Sequence, residues 1–148
     1  MRKIIISFFL YNMLLLISCT GNENKINCFK LYISAMDIQE NLDTTIFLFL
    51  PEYTCSSCNN EIFHVLKRKG INDLNIILLK GTISDSVNVR KILPDSKVFI
   101  DRKGLIYDKR FVCLNSYETV LYIINNDKIS SYILNGAILN DVLNQIRQ

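Results

Sequence analysis

An α/β domain with a central mixed β-sheet flanked by helices on both faces is the architecture this chain predicts, on three observations. Two short apolar runs, TTIFLFL (Thr44–Leu50) and NIILLK (75–80), lack the polar alternation of a half-exposed strand and read as strands buried on both faces. Between them Cys58, Ile62, Val65 and Leu66 recur at i, i+4, i+7 and i+8, the spacing of one helical stripe. Near the C-terminus TVLYIIN and KISSYIL flank Asn126-Asp127, a two-residue turn. Strands joined through helices run parallel with right-handed crossovers, and a tight turn makes an antiparallel pair, so the sheet is mixed.

The elements follow in order. Ser34-Ala-Met-Asp37 has capping-box spacing, with Asp where Glu or Gln is usual, and introduces a short helix to about Leu42. The first strand runs over Thr44–Leu50 and stops at Pro51. The striped helix covers 57–69; Lys67, Arg68 and Lys69 sit in its last turn, where cations oppose the negative dipole end, and Gly70 follows as its cap. After the second strand, 84–93 makes a shorter helix stopped by Pro94. KVFID (Lys97–Asp101) is a third strand, and Arg102-Lys103-Gly104 turns the chain into LIYDKRFV, read as a further strand or hairpin arm. The hairpin of 119–125 and 128–134 comes next. A helix over 136–147 closes the chain, with Ile138, Leu139, Val142, Leu143 and Ile146 at helical spacing.

The 148 residues leave room for one domain. The net charge is +3, of which Arg2 and Lys3 are two, so nothing argues for a nucleic-acid partner or an acidic substrate. The first residues carry a different signal. MRK is a basic start, and IIISFFLYNMLLLIS is an apolar run of signal-peptide length, too short to span a bilayer comfortably. Leu16-Ile17-Ser18-Cys19 resembles the bacterial lipobox, and the composition turns polar immediately afterwards. The resemblance implies a signal peptide over 1–18, cleavage before Cys19 and lipidation of its thiol, with 19–30 as a tether and 31–148 as the folded domain. Each buried acyl CH₂ contributes ~0.8 kcal/mol to membrane anchoring. An extracytoplasmic, membrane-anchored location lets disulfides persist.

In that setting Cys55-Ser-Ser-Cys58 stands out, placed between a buried strand and an amphipathic helix. Two intervening residues let the sulfurs meet in a small ring. Cys55, at the helix start, faces free backbone N–H groups and the positive dipole end, which favour a thiolate over a thiol. A lowered pKa makes Cys55 the attacking sulfur, and Cys58, one turn inward on the apolar stripe, the resolving one. An inert structural disulfide and a metal site are the competing uses of such a pair.

Strand, CxxC, helix and βαβ order together resemble the thioredoxin fold, a three-layer sandwich, and within it the TlpA/ResA-like membrane-anchored thiol-disulfide oxidoreductases. VFIDRKGLIYD followed by TVLYIINNDKI is similar to that family's late strand and terminal hairpin. The resemblance implies disulfide exchange with partner proteins and a dithiol electron-exchange partner. No cofactor is implied, since another dithiol protein supplies the electrons. Two departures accompany it. Thr54 stands where an aromatic residue usually precedes the first cysteine. Glu118, ahead of Thr119, stands where the family has the cis-proline of its substrate loop, and a cis bond there would cost about 2.5–4 kcal/mol, so a trans bond is expected. Glu118 and Thr119 are accordingly the candidate substrate loop. A redox-inactive thioredoxin-like binding or scaffold lipoprotein is the alternative these departures motivate, with metal delivery a third.

Cys28 and Cys113 read either as free buried thiols or as a second disulfide, and four cysteines allow three pairings. A zinc site of all four thiolates is weakly supported by a single CxxC. His64, the only histidine, lies beside the helical stripe and reads as a surface residue. The aromatics Phe47, Phe49, Phe99, Tyr107, Phe111, Tyr122 and Tyr132 fall mostly on strand runs and read as core.

Overall fold

A computed structural model describes residues 20–42, 44–52, 56–71, 73–134, 141, 142 and 144. In chain order these form α1 (Thr20–Ala35), β1 (Thr44–Leu50), α2 (Ser56–Arg68), β2 (Asn75–Leu79), α3 (Ile83–Ile92), β3 (Lys97–Asp101), two 3-10 turns (Leu105–Tyr107 and Lys109–Phe111), β4 (Val120–Asn125) and β5 (Lys128–Ile133). The five strands lie in the order β3-β2-β1-β4-β5. β1 and β2 pair in parallel, as do β2 and β3, while β4 runs antiparallel to both β1 and β5. The expected mixed α/β sheet is present. The closing helix expected over 136–147 lies mostly outside the described residues.

β1 sits at the centre because its sequence has no polar side. Phe47 and Phe49 point to one face, Leu48 and Leu50 to the other, and all four are at most 3% exposed. On the Phe face, α1 lays Ile26, Phe29, Tyr32 and Ile33 over Ile77, Leu79 and Tyr122. Phe29 meets Phe47 edge-on at 5.1 Å between ring centres, and Phe49 meets Tyr122 at 4.8 Å, both favoured aromatic geometries. On the Leu face, Ile62, Phe63 and Leu66 of α2 and Val89 of α3 cover Ile76, Leu78 and Leu121. Successive crossovers from β1 to β2 and from β2 to β3 advance in one direction, and the same hand puts α2 and α3 on one face.

Local chemistry sets the ends. Thr82 and Asp85 form a reciprocal capping box at the start of α3. Gly70, at φ 70°, closes α2: its N–H donates to the Lys67 carbonyl at 2.9 Å, and the Ile71 N–H to that of Leu66 at 3.0 Å. In the hairpin, Asn126 and Asp127 both take positive φ, 47° and 63°, matching the twist of the flanking strands.

Three expectations are corrected. Residues 20–30, expected as a tether, are helical, because Ile26, Phe29, Tyr32 and Ile33 make an apolar stripe that outweighs the polar composition around them. Ser34-Ala-Met-Asp37 ends a helix instead of starting one. Asp37 adopts φ 56°, its N–H reaches the Ser34 carbonyl at 3.0 Å, and the Ile38 N–H reaches that of Ile33 at 3.1 Å. LIYDKRFV makes two 3-10 turns, not a strand. The Asp101 carboxylate accepts from the Leu105 and Ile106 N–H groups at 2.9 and 3.0 Å, and Asp108 accepts from Arg110 N–H at 2.9 Å, so side chains replace the ladder.

Candidate functional site

The carboxyl end of β1 is where the sequence places its chemistry. β1 ends at Leu50, and the first residue of α2, Ser56, directly follows Cys55. The stripe that orients α2 is as expected: Ile62, Val65 and Leu66 are buried with Phe63, while His64 is exposed. Lys67 and Arg68 lie in the last turn, at the end of α2 opposite Ser56. Cys58 is the third residue of α2. Cys55, the Cys58 side chain and Cys19 lie outside the described residues.

β4 brings the second predicted segment to the same edge. Val120 pairs with Phe49, so Glu118 and Thr119 enter the sheet beside the end of β1. Asn115 holds this loop: its side-chain oxygen accepts from the Tyr117 and Glu118 N–H groups at 3.0 and 3.3 Å, and its amide nitrogen donates to Glu118 Oε2 at 2.6 Å. The Tyr122 hydroxyl accepts from the Asn115 N–H at 3.0 Å; burial raises that phenol's pKa. Thr119 is buried, and its carbonyl accepts from the Leu134 N–H at 2.8 Å. No peptide bond among the described residues is cis, so Glu118 is joined in trans.

No protein-family model, curated protein or solved structure matches this chain. Function therefore has to be read from the residues themselves.

A group that sequence reasoning passed over lies on the other side of β1. Lys80, just past β2, takes φ 56°, and its N–H donates to the Asp101 carbonyl at 3.0 Å. Its ammonium lies 4.8 Å above the Tyr107 ring and 3.9 Å from Glu52 Oε2. Gly81 must follow: a Cβ there would stand 2.5 Å from Leu78 Cβ. Tyr107, expected in the core, is instead at the surface, with its ring 6.3 Å from that of exposed Tyr117. Glu52, Lys80 and Thr82 also line a cleft of about 560 Å³ between α2 and α3. The Lys80–Tyr107 contact joins distant segments and left no sequence signal.

Cys28 and Cys113 form a disulfide, with Cα atoms 6.6 Å apart, tying α1 to the loop after the second 3-10 turn. That answers the open choice for these two cysteines and removes the four-thiolate zinc arrangement, since two of its sulfurs are bonded to each other. Among the described residues, no three His, Cys, Asp or Glu side chains gather as a metal site. No described helix is long and apolar enough to cross a membrane.

Proposed function

We propose that this chain is an extracytoplasmic, lipid-anchored thiol-disulfide oxidoreductase of thioredoxin-like three-layer form, exchanging disulfides with partner proteins through Cys55 and Cys58. The observation that carries it is the start of α2 at Ser56, directly after Cys55, at the carboxyl end of the central strand. A helix start offers unpaired backbone N–H groups and about half a positive charge, and both favour the thiolate. The Cys28–Cys113 bond also supports it, since it leaves Cys55 and Cys58 to each other once the chain is cleaved before Cys19.

The exchange balances simply. Cys55 thiolate attacks one sulfur of a partner disulfide, and the other partner sulfur leaves as a thiolate. Cys58, giving up its proton, attacks Cys55 in the mixed disulfide and expels the second partner thiolate. The partner gains two electrons, and Cys55–Cys58 becomes the disulfide; the reverse oxidises a partner dithiol. A Cys58→Ser variant stops after the first step, so it should hold a partner covalently, releasable by dithiothreitol. Absence of any trapped partner, with no reduction of insulin by the wild type, contradicts the proposal.

A second reading, an inert binding or scaffold lipoprotein of the same fold, is favoured by one observation. The Glu118 carboxylate is engaged by Asn115 and the Thr119 carbonyl by Leu134, so this loop keeps its polar groups to itself. Reduction of insulin distinguishes the two: turnover supports exchange, and none supports the scaffold.

A further inference from the structure

The cleft between α2 and α3 is separate from the thiol reading and carries its own chemistry. It lies over the carboxyl ends of β1 and β2, the edge at which open α/β sheets bind ligands, and its volume of about 560 Å³ suits a small molecule. Along α3, Asp85, Asn88 and Lys91 recur every three residues and all line it. At ~1.5 Å of rise per residue, Asp85 and Lys91 stand about 9 Å apart along the helix axis.

Charge is therefore distributed by position. At the start of α3, Asp85 is joined by Glu52, beside Lys80; at the other end stands Lys91, with the Asn88 carboxamide halfway. Bonds from the Thr82 hydroxyl and N–H hold Asp85 ionised by lowering its pKa. Asn60 adds a second carboxamide from α2, and Phe63 and Leu79 an apolar floor. A carboxamide donates and accepts at once, as a peptide group does. Two acids and two lysines line the cleft among the described residues, so a polyanion would meet Glu52 and Asp85, and a neutral sugar would offer no counter-charge to Lys91. An extended tripeptide is ~10 Å long, with an ammonium at one end and a carboxylate at the other.

We propose that this cleft binds a short free peptide, its ammonium toward Glu52 and Asp85, its main chain along Asn88 and its carboxylate toward Lys91. Calorimetric titration of the full chain with tri-alanine tests this, with N-acetyl-tri-alanine amide as the uncharged control. Saturable one-to-one binding in the millimolar range or below is expected, about tenfold weaker for Lys91→Met, a loss of ~1.4 kcal/mol, and weaker by a larger factor for the blocked peptide, which lacks both terminal charges. Asn88→Ala, at an exposed position, should also weaken it, with the far-ultraviolet circular dichroism of both variants unchanged. No saturable heat, equal affinity for the blocked peptide, or an unchanged affinity in Lys91→Met overturns the proposal. Tri-alanine has no sulfur, so this result is independent of whether Cys55 exchanges disulfides.

Discussion

The Tyr32 hydroxyl donates to the Asp101 carboxylate at 3.0 Å, and this buried bond joins α1 to the end of β3 across 69 positions of sequence. Asp101 is 1% exposed and also accepts the Leu105 and Ile106 N–H groups, so Tyr32 completes the pairing of a buried charge. Tyr32→Phe keeps the ring and removes that donor. A loss of about 1.5–3 kcal/mol is expected from urea unfolding, the range for a hydrogen bond to a charged group. A loss below a few tenths would mean that the two backbone donors suffice.

The same contact gives a pH dependence with a definite sign. Burial first, and the Asp101 charge second, push the Tyr32 phenol far above its ordinary value near 10. Its folded pKa is raised, so its stabilising contribution is whole below ~10 and is lost as pH rises above that. Unfolding free energy should therefore fall between about pH 10 and 11.5, and fall less steeply in Tyr32→Phe. Parallel profiles for the two proteins would show that other groups dominate.

The Cys28–Cys113 bond closes a loop of 85 positions and fixes α1, whose residues Ile26, Phe29, Tyr32 and Ile33 supply one wall of the core. A Cys28→Ser, Cys113→Ser double variant should lose about 2–4 kcal/mol in thermal unfolding. Native mass spectrometry of the wild type checks the bond itself: reduction should add two hydrogens for this pair beyond any for Cys55–Cys58.

Gly81 tests the turn that places Lys80. An added methyl would stand 2.5 Å from Leu78 Cβ, and Leu78 is packed in the core. Gly81→Ala should cost about 1–3 kcal/mol, as overpacking does. It should also weaken tri-alanine binding, because Lys80 and Thr82 on either side line the cleft.

Elements whose signal is local were legible. TTIFLFL carries its own strand ends; Lys97–Asp101 matches residue for residue; Gly70 and Asn126-Asp127 act through their own backbone preferences. What could not be read depends on partners far along the chain. Ile26 and Phe29 looked incidental in a polar stretch until Phe47 and Tyr122 were in place beneath them. Asp101 read as the last residue of a strand, yet Tyr32 and two backbone donors make it the knot of the α1–β3 junction. Asp37 misled because an Asp three residues after a Ser fits a helix start, whereas its tolerance of positive φ serves a helix end. At the candidate site, Glu118 and Thr119 were named from the sequence as a loop, and their place beside the end of β1 comes from the β1–β4 register. The Lys80–Tyr107 contact was not anticipated, because cation–ring pairs have no sequence period.

The most direct measurement is the pH dependence of Cys55 alkylation by iodoacetamide in a Cys58→Ser variant with the Cys28–Cys113 bond intact. An apparent pKa clearly below the free-thiol value of ~8.5 is the result expected of a sulfur at a helix start. A value at or above ~8.5 would contradict the assigned nucleophile.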